Sequence, residues 1–270
     1  MCKDCGCQEA LHHHHHHHDH GINHDHHHEH EHHHHHHDEQ RGTPVDLAGK
    51  ILAANDHLAA HNREWFSEHH QICFNLMSSP GSGKTLLLEK TLAWFKENQN
   101  DQKIKILVGD QQTDRDALRL KQASYPLAPI KQINTPEACH LDATMINREL
   151  ASFVGTDPAI VILENVGNLV CPAAFDLGQN SRVALLSVTE GEDKPIKYPT
   201  LFMQADLIIL TKIDLAAAVE WQRPDAYRFL RQVNPWAPII EVSSKTGQGL
   251  NLWINFLLQR PIEVKDPVFN

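Results

Sequence analysis

Two sets of side chains in this 270-residue chain have the types and spacing for chemistry. The first suits phosphate. Ser78-Ser79-Pro80-Gly81-Ser82-Gly83-Lys84-Thr85 lies between an apolar run, Ile72 to Met77, and a helix-prone run, Leu86 to Phe95. Gly81 and Gly83 let backbone N–H groups turn inward around phosphate oxygens, and the helix that follows adds positive potential at its N-terminus. Lys84 can then bridge the terminal phosphates while the Thr85 hydroxyl ligates Mg²⁺. Ser78 stands where such loops usually begin with Gly, but the two later glycines keep the tight turns. The second set suits borderline metals. Cys2, Cys5 and Cys7 fall within six residues, too crowded for an ordinary disulfide framework and suited to thiolate ligation in a reducing compartment.

The base of a nucleotide would be read further along, at Thr211-Lys212-Ile213-Asp214 after the apolar run Leu207 to Leu210. A carboxylate at Asp214 accepts both the ring N–H and the exocyclic amine of guanine, a pair adenine cannot offer, so ATP would leave it unpaired. Thr211 replaces the more common Asn. Ser243-Ser244-Lys245, after Ile239 to Val242, supplies a turn whose N–H can meet the guanine O6; a plain surface turn is the alternative. Two acidic loops also follow apolar runs: Gly109-Asp110-Gln111-Gln112-Thr113 and Glu164-Asn165-Val166-Gly167. Glu164 takes the place of the usual Asp of an Asp-x-x-Gly element, and the Gly167 N–H can report a γ-phosphate. Mg²⁺ keeps several waters in octahedral coordination, so Glu164 can act through water, while Asp110 either ligates or orients the attacking water. Those two roles stay open, beside the reading of both residues as strand-end caps.

Cys139-His140 follows Asn134-Thr135-Pro136, which looks like a helix start. A cysteine in a helix is often just a small hydrophobe. Cys171 strengthens the metal reading: it lies four residues past Gly167, so at ~3.6 Å per residue its Cα stays within roughly 14 Å of the γ-phosphate reporter. Two thiols and one imidazole are an incomplete set for four-coordinate zinc or nickel, so water or a second subunit across a symmetric dimer completes it. Cys73 alternates within the first apolar run and reads as core packing.

These groups need elements to hold them. Ile72 to Met77, Ile104 to Val108, Ile160 to Leu163, Val183 to Val188, Leu207 to Leu210 and Ile239 to Val242 read as buried strands, and 84–97, 136–152, 216–233 and 249–258 as helices. Such alternation implies an α/β fold, a P-loop NTPase with a mostly parallel sheet flanked by helices. Residues 70–270 form that nucleotide domain. Before it come a Cys-rich metal motif at 1–11, a His-rich tract at 12–40 and a helical connector at 41–69. In the connector Leu47, Ile51 and Leu58 share a stripe that must be buried, against either the chain's own domain or a partner protein. His57 and His61 stand at i, i+4, a metal-capable spacing, and read first as two solvated helix histidines.

Composition excludes some partners. Of 24 histidines, nineteen lie between His12 and His37, and the first 40 residues hold eight acids against one lysine, so they carry −7 of the formal −10. The rest carries about −3, far from the basic balance of a nucleic-acid binder. The tract has almost no apolar side chains to repay ordering and is expected to be disordered without metal, a multi-ion buffer for nickel, zinc or copper that proton competition weakens below ~pH 6.5. An expression tag is the alternative. Acids and Asn23 interrupt the tract, however, and a cysteine motif precedes it. No apolar run approaches the ~18 residues of a membrane span and no signal peptide is evident, so a cytoplasmic location is expected.

Taken together, the chain resembles the hydrogenase nickel-incorporation GTPases, the HypB family of hydrogenase maturation. The resemblance rests on Cys2-x-x-Cys5-Gly6-Cys7, the Ser78 to Thr85 loop, Gly109 to Thr113, Ala138-Cys139-His140-Leu141-Asp142, Glu164 to Pro172 and Ser187 to Pro195. It implies a dimerising GTPase that uses GTP, GDP and Mg²⁺ and binds Ni²⁺ or Zn²⁺. Such a protein works with a HypA-type nickel/zinc accessory protein and delivers nickel to the [NiFe]-hydrogenase large subunit. It implies further that Cys2, Cys5 and Cys7 form a high-affinity nickel motif, that Cys139, His140 and Cys171 form the metal site of the G domain, and that the His-rich tract stores nickel. Hydrolysis is expected to be slow, because no side chain stands out as a built-in transition-state arginine. A nickel buffer with an incidental nucleotide domain, a urease nickel inserter and a small-substrate P-loop kinase are the alternatives; Cys139-His140 with Cys171 argues against the urease type and Asp214 against the kinase.

Overall fold

The computed structural model describes residues 44–110, 115–122, 128–135 and 138–262. The Cys-rich motif and the histidine tract lie outside them. Seven strands, β1 (Ile72–Ser78), β2 (Ile104–Asp110), β3 (Ile130–Asn134), β4 (Ile160–Glu164), β5 (Ser181–Ser187), β6 (Leu207–Thr211) and β7 (Ile239–Val242), form one sheet in the order β3-β2-β4-β1-β5-β6-β7. Every pairing is parallel. The helices are α1 (Pro44–Glu68), α2 (Lys84–Glu97), α3 (Arg115–Gln122), α4 (Ala143–Glu149), α5 (Cys171–Ala174), α6 (Lys194–Lys197), α7 (Pro199–Met203), α8 (Arg223–Val233) and α9 (Leu250–Leu257). A π-helical turn, Leu150–Val154, extends α4.

Parallel strands covered on both faces must be apolar in both directions, and β1 shows the consequence. Phe74 and Leu76 enter a core with Leu87, Leu92, Ile106 and Trp253 on one face. Cys73 packs on the other face with Phe66, Leu107, Ile146 and Leu163, fully buried as core packing requires. Burial pushes its thiol well above the ordinary range, so it stays protonated. Because all strands run the same way, their carboxyl ends lie on one edge of the sheet, and the loops there share one crevice.

Three expectations need correcting. Of the segment 136–152, the described residues are helical from Ala143, where Asp142 accepts the Met145 N–H at 2.7 Å as an N-cap; 138–142 is a loop and so leaves Cys139 and His140 outside the helix. The segment 216–233 is helical only from Arg223. The stripe expected to seat α1 is also not its seat. Ile51 is exposed and Leu58 half-buried, whereas Asn55, Ala59, Asn62 and Phe66 are buried. Asn62 donates to the carbonyls of Ala143 (2.9 Å) and Leu177 (3.1 Å), Asn55 donates to Asp176 O (2.8 Å) and accepts the Ala143 N–H (2.9 Å), and Arg63 pairs with Asp176 at 2.7 Å. The connector is therefore docked on its own domain, through Ala59 and Phe66 together with polar side chains that periodicity of apolar residues does not reveal. β3 and α3, half-polar in sequence, were not expected either.

Candidate functional site

The loop after β1 folds back on its own hydroxyls. Ser78 Oγ accepts from Lys84 Nζ at 2.7 Å and from Ser82 Oγ at 2.5 Å, and donates to Ser79 O at 2.8 Å. The serine standing where Gly is usual thus organises the loop. Gly81 and Gly83 have φ of 73° and 100°, conformations that side-chain-bearing residues rarely adopt. Burial lowers the Lys84 pKa, and the carboxylates of Glu164, Asp116 and Glu190 oppose that shift. A cavity of about 520 Å³ opens in front of the loop, lined by residues Pro80 to Leu86, Gly109, Asp110, Asp116, Arg119 and the Glu164 to Gly167 segment. Lys84, Thr85, Asp110 and Glu164, from three different strand ends, therefore face one space.

Thr85 Oγ1 donates to Glu164 Oε1 at 2.7 Å, while the other oxygen, Oε2, is buried without a hydrogen-bond partner. Burial raises the Glu164 pKa to about 7, against the pull of Lys84 and Thr85. A hydroxyl beside a buried carboxylate with an orphaned oxygen is the donor set a hard, octahedral cation prefers, so these residues fit Mg²⁺. Gly167 leans on the phosphate loop so closely that a Cβ there would stand 2.9 Å from Pro80 Cα. Asp116 and Arg119 also line the cavity, although no sequence motif marks them. They stand on α3, and Arg119 is bound to Glu89 (3.0 Å) and to Asp116 (3.7 Å).

The segment expected to read the base lies beside the same loop. Lys212, at φ 57°, donates from Nζ to Gly81 O at 2.6 Å, and Thr211 Oγ1 donates to Ser82 O at 2.7 Å. The threonine that replaces Asn thus still ties β6 to the phosphate loop. Asp214 accepts from Ser243 Oγ at 2.7 Å, which aims the carboxylate; Ser244 is half-buried and Lys245 exposed beside it. Glu190, from the Ser187 to Pro195 segment, accepts from Ser79 Oγ and from the Ser187 N–H (3.2 Å), joining that segment to the loop.

The Cys139, His140 and Cys171 ligand atoms lie within 4.8 Å of one another, which is the spacing a shared ion needs. His140 is buried, its ring stacked on Phe175 at 3.9 Å, and burial lowers its pKa, keeping the imidazole in the neutral, ligating form. Asn165, buried one residue past Glu164, accepts the N–H of Leu141, one residue past His140, at 3.0 Å, and that of Val166 at 3.0 Å. Leu141 in turn packs so tightly over Gly109 that a Cβ there would lie 2.8 Å from its side chain. The metal triad hangs from the segments that carry Asp110 and Glu164. Cys2, Cys5, Cys7 and the His12–His37 tract lie outside the described residues.

A glycine-rich loop after β1, a hydroxyl–carboxylate pair and the Asp214 loop along one edge of a parallel sheet are the arrangement of a P-loop nucleotide-binding protein, here with a cluster of two cysteines and a histidine on adjoining segments. The model of the CobW/HypB/UreG nucleotide-binding domain matches residues 73–241. The hydrogenase maturation factor HypB of Azotobacter chroococcum mcd 1 is 44% identical over 213 residues, covering 79% of this chain and 68% of that protein. The Escherichia coli K12 HypB is 44% identical over 207 residues, 77% of this chain and 69% of that one. The crystal structure of HypB from Helicobacter pylori in complex with nickel superposes with a TM-score of 0.69 at 41% identity, covering 76% of this chain and 94% of that one. HypB from Archaeoglobus fulgidus gives a TM-score of 0.69 at 41% identity over 77% of this chain and 98% of that one. The chain belongs to the HypB family of hydrogenase maturation factors. Among the described residues no helix is long and apolar enough to cross a membrane.

Proposed function

We propose that this chain is a GTP-hydrolysing nickel metallochaperone whose nucleotide state gates delivery of nickel to the [NiFe]-hydrogenase large subunit. The observation that carries the reading is the single short segment from Glu164 to Cys171. It begins at the carboxylate that fits Mg²⁺, passes Gly167 against the phosphate loop, and ends in a thiol of the metal triad. Lys84 and the loop N–H groups hold the β- and γ-phosphates, Thr85 and Glu164 would hold a Mg²⁺ that would neutralise charge developing on those phosphates, and Asp110, in the cavity wall, either ligates that ion or orients the attacking water. Asp214, held by Ser243, selects guanine. Arg119 reaches the cavity but is occupied by Glu89 and Asp116, in keeping with slow intrinsic hydrolysis.

Nickel is the cargo. Two thiols and an imidazole suit Ni²⁺ or Zn²⁺, and a fourth donor comes from water or from a second copy in a homodimer. Cys2, Cys5, Cys7 and the histidine tract are proposed to bind and store nickel ahead of it, with a HypA-type nickel/zinc protein as partner in transfer. That the H. pylori relative was crystallised in complex with nickel supports a nickel role here. Loss of the γ-phosphate frees Gly167, and Cys171 moves with it; Asn165 transmits the same change to Leu141 and so to His140. Metal titration with GDP and with a non-hydrolysable GTP analogue tests this. Nickel affinity of the triad is expected to differ between the two nucleotides and to lose that difference in Cys171→Ser. Equal affinity in both states would end the gating model.

A further inference from the structure

The outer face of α1 carries an arrangement that neither the nucleotide site nor the triad uses. His57, His61 and Glu64 stand at i, i+4 and i+7, opposite the Asn55/Asn62 face that docks the helix. The two rings meet edge-to-face with centroids 4.7 Å apart, and His61 Nδ1 lies 3.7 Å from Glu64 Oε2. The His61 and Glu64 side chains are 55% and 72% exposed, so an ion in solution can reach them. One divalent ion bonded to two imidazole nitrogens at ~2.0–2.1 Å holds those nitrogens about 3 Å apart. Side-chain torsions of exposed residues one turn apart on a rigid backbone reach that separation without moving the helix.

The position gives the pair a use. The histidine tract ends at His37, and His57 lies thirteen residues into α1, about 20 Å along it at ~1.5 Å per residue. At the same level Asn55 binds the Ala143 N–H, three residues past His140, and the Asp176 carbonyl, next to the Phe175 that stacks on His140. Only the width of one helix, about 10–12 Å, separates this face from the loops that carry the triad.

We propose that His57 and His61, with Glu64 as an added oxygen donor, clamp a borderline divalent cation on the outer face of α1, and that this clamp is a transfer station between the histidine tract and the Cys139/His140/Cys171 triad. Two imidazoles and an exposed carboxylate bind more weakly than a site with two thiolates, so an ion moves on rather than stopping there. The transfer role rests on the nickel-handling function above; the existence of the clamp does not.

The test is chemical footprinting of the full chain with diethyl pyrocarbonate, which modifies unligated imidazoles, at rising Ni²⁺, read peptide by peptide. Alkylation of Cys139 and Cys171 in the same samples reports the triad separately. His57 and His61 are expected to lose reactivity together while exposed His70 keeps it. In His57→Gln, the nickel needed to protect His61 is expected to rise about 100-fold, because the second bond is no longer intramolecular. Protection of His61 at the same nickel level in His57→Gln overturns the clamp, as does no protection of either residue at nickel that protects the cysteines. Protection of the histidines without any protection of the cysteines keeps the clamp and removes the triad from the nickel-handling function.

Discussion

The phosphate cradle and the metal triad sit at the same edge of the sheet but are built differently. In the cradle, consecutive residues from Ser78 to Thr85 satisfy one another: Lys84 and Ser82 both bond Ser78, and Thr85 bonds Glu164, all of them buried. The triad is assembled from two separate loops, with both thiols half-exposed and the imidazole stacked on Phe175. A cradle preorganised by its own backbone binds a ligand that comes and goes without moving. Ligands hung on two loops respond to whatever shifts those loops, and both here are fastened to segments lining the nucleotide cavity.

If that contrast holds, removing a cradle group should damage nucleotide chemistry and spare the metal. Lys84→Ala is expected to lower GTP turnover by about 10²–10³-fold, a typical cost for a group that meets developing charge, with nickel binding by the nucleotide-free protein unchanged. Equilibrium dialysis alongside phosphate release checks it; a parallel loss of nickel would mean the two sites are not separable.

The next effect is one of pH. Folding raises the Glu164 pKa to about 7, so the ionised form costs stability. That cost is absent below the unfolded value near 4.5 and complete above pH 7. Glu164→Gln is therefore expected to stabilise the protein without Mg²⁺ above pH 7 by up to ~3 kcal/mol, with the gain shrinking as pH falls toward 4.5. Urea unfolding at pH 5 and pH 8 measures it, and a gain equal at both would remove burial of the charge as its cause. The same variant should lose the dependence of nucleotide binding on Mg²⁺.

Asn165→Ala probes the join between the two regions. Leaving the Leu141 and Val166 N–H groups without their acceptor should cost about 1–3 kcal/mol of stability. A purely structural role stops there. The join predicts in addition that nickel affinities with GDP and with a GTP analogue converge. Smallest is Thr211→Val, which removes one hydrogen bond to Ser82 O; about 1 kcal/mol, roughly fivefold in guanine-nucleotide affinity, is expected from a binding isotherm, with the nickel affinity of the nucleotide-free triad unmoved.

Much of this architecture is written in local patterns. Apolar runs followed by glycine, hydroxyl and acidic residues locate six of the seven strands and all the nucleotide-facing loops, because a strand buried on both faces must be apolar and a phosphate loop must be glycine-rich. β3, reading Ile-Lys-Gln-Ile-Asn, escapes because only its two isoleucines are buried, on a strand at the margin of the sheet. Asp116 and Arg119 escape because the Ala117 and Leu120 stripe of this eight-residue helix tells which face is buried but not that the polar flank borders the nucleotide cavity. The i, i+4 spacing of His57 and His61 is equally visible in sequence, but whether the pair lies against the domain or in solvent is not.

Residue types and their order alone determined the phosphate loop, the parallel sheet and the candidate ligands, since each is a short-range requirement of covalent spacing. Tertiary structure alone decided that Cys139 and His140 meet Cys171, that Asn165 bonds Leu141, and that α1 docks through its Asn55, Ala59, Asn62 and Phe66 face. Those contacts join residues dozens of positions apart, and the closure of such loops is governed by how the whole sheet and its helices pack, not by any local pattern.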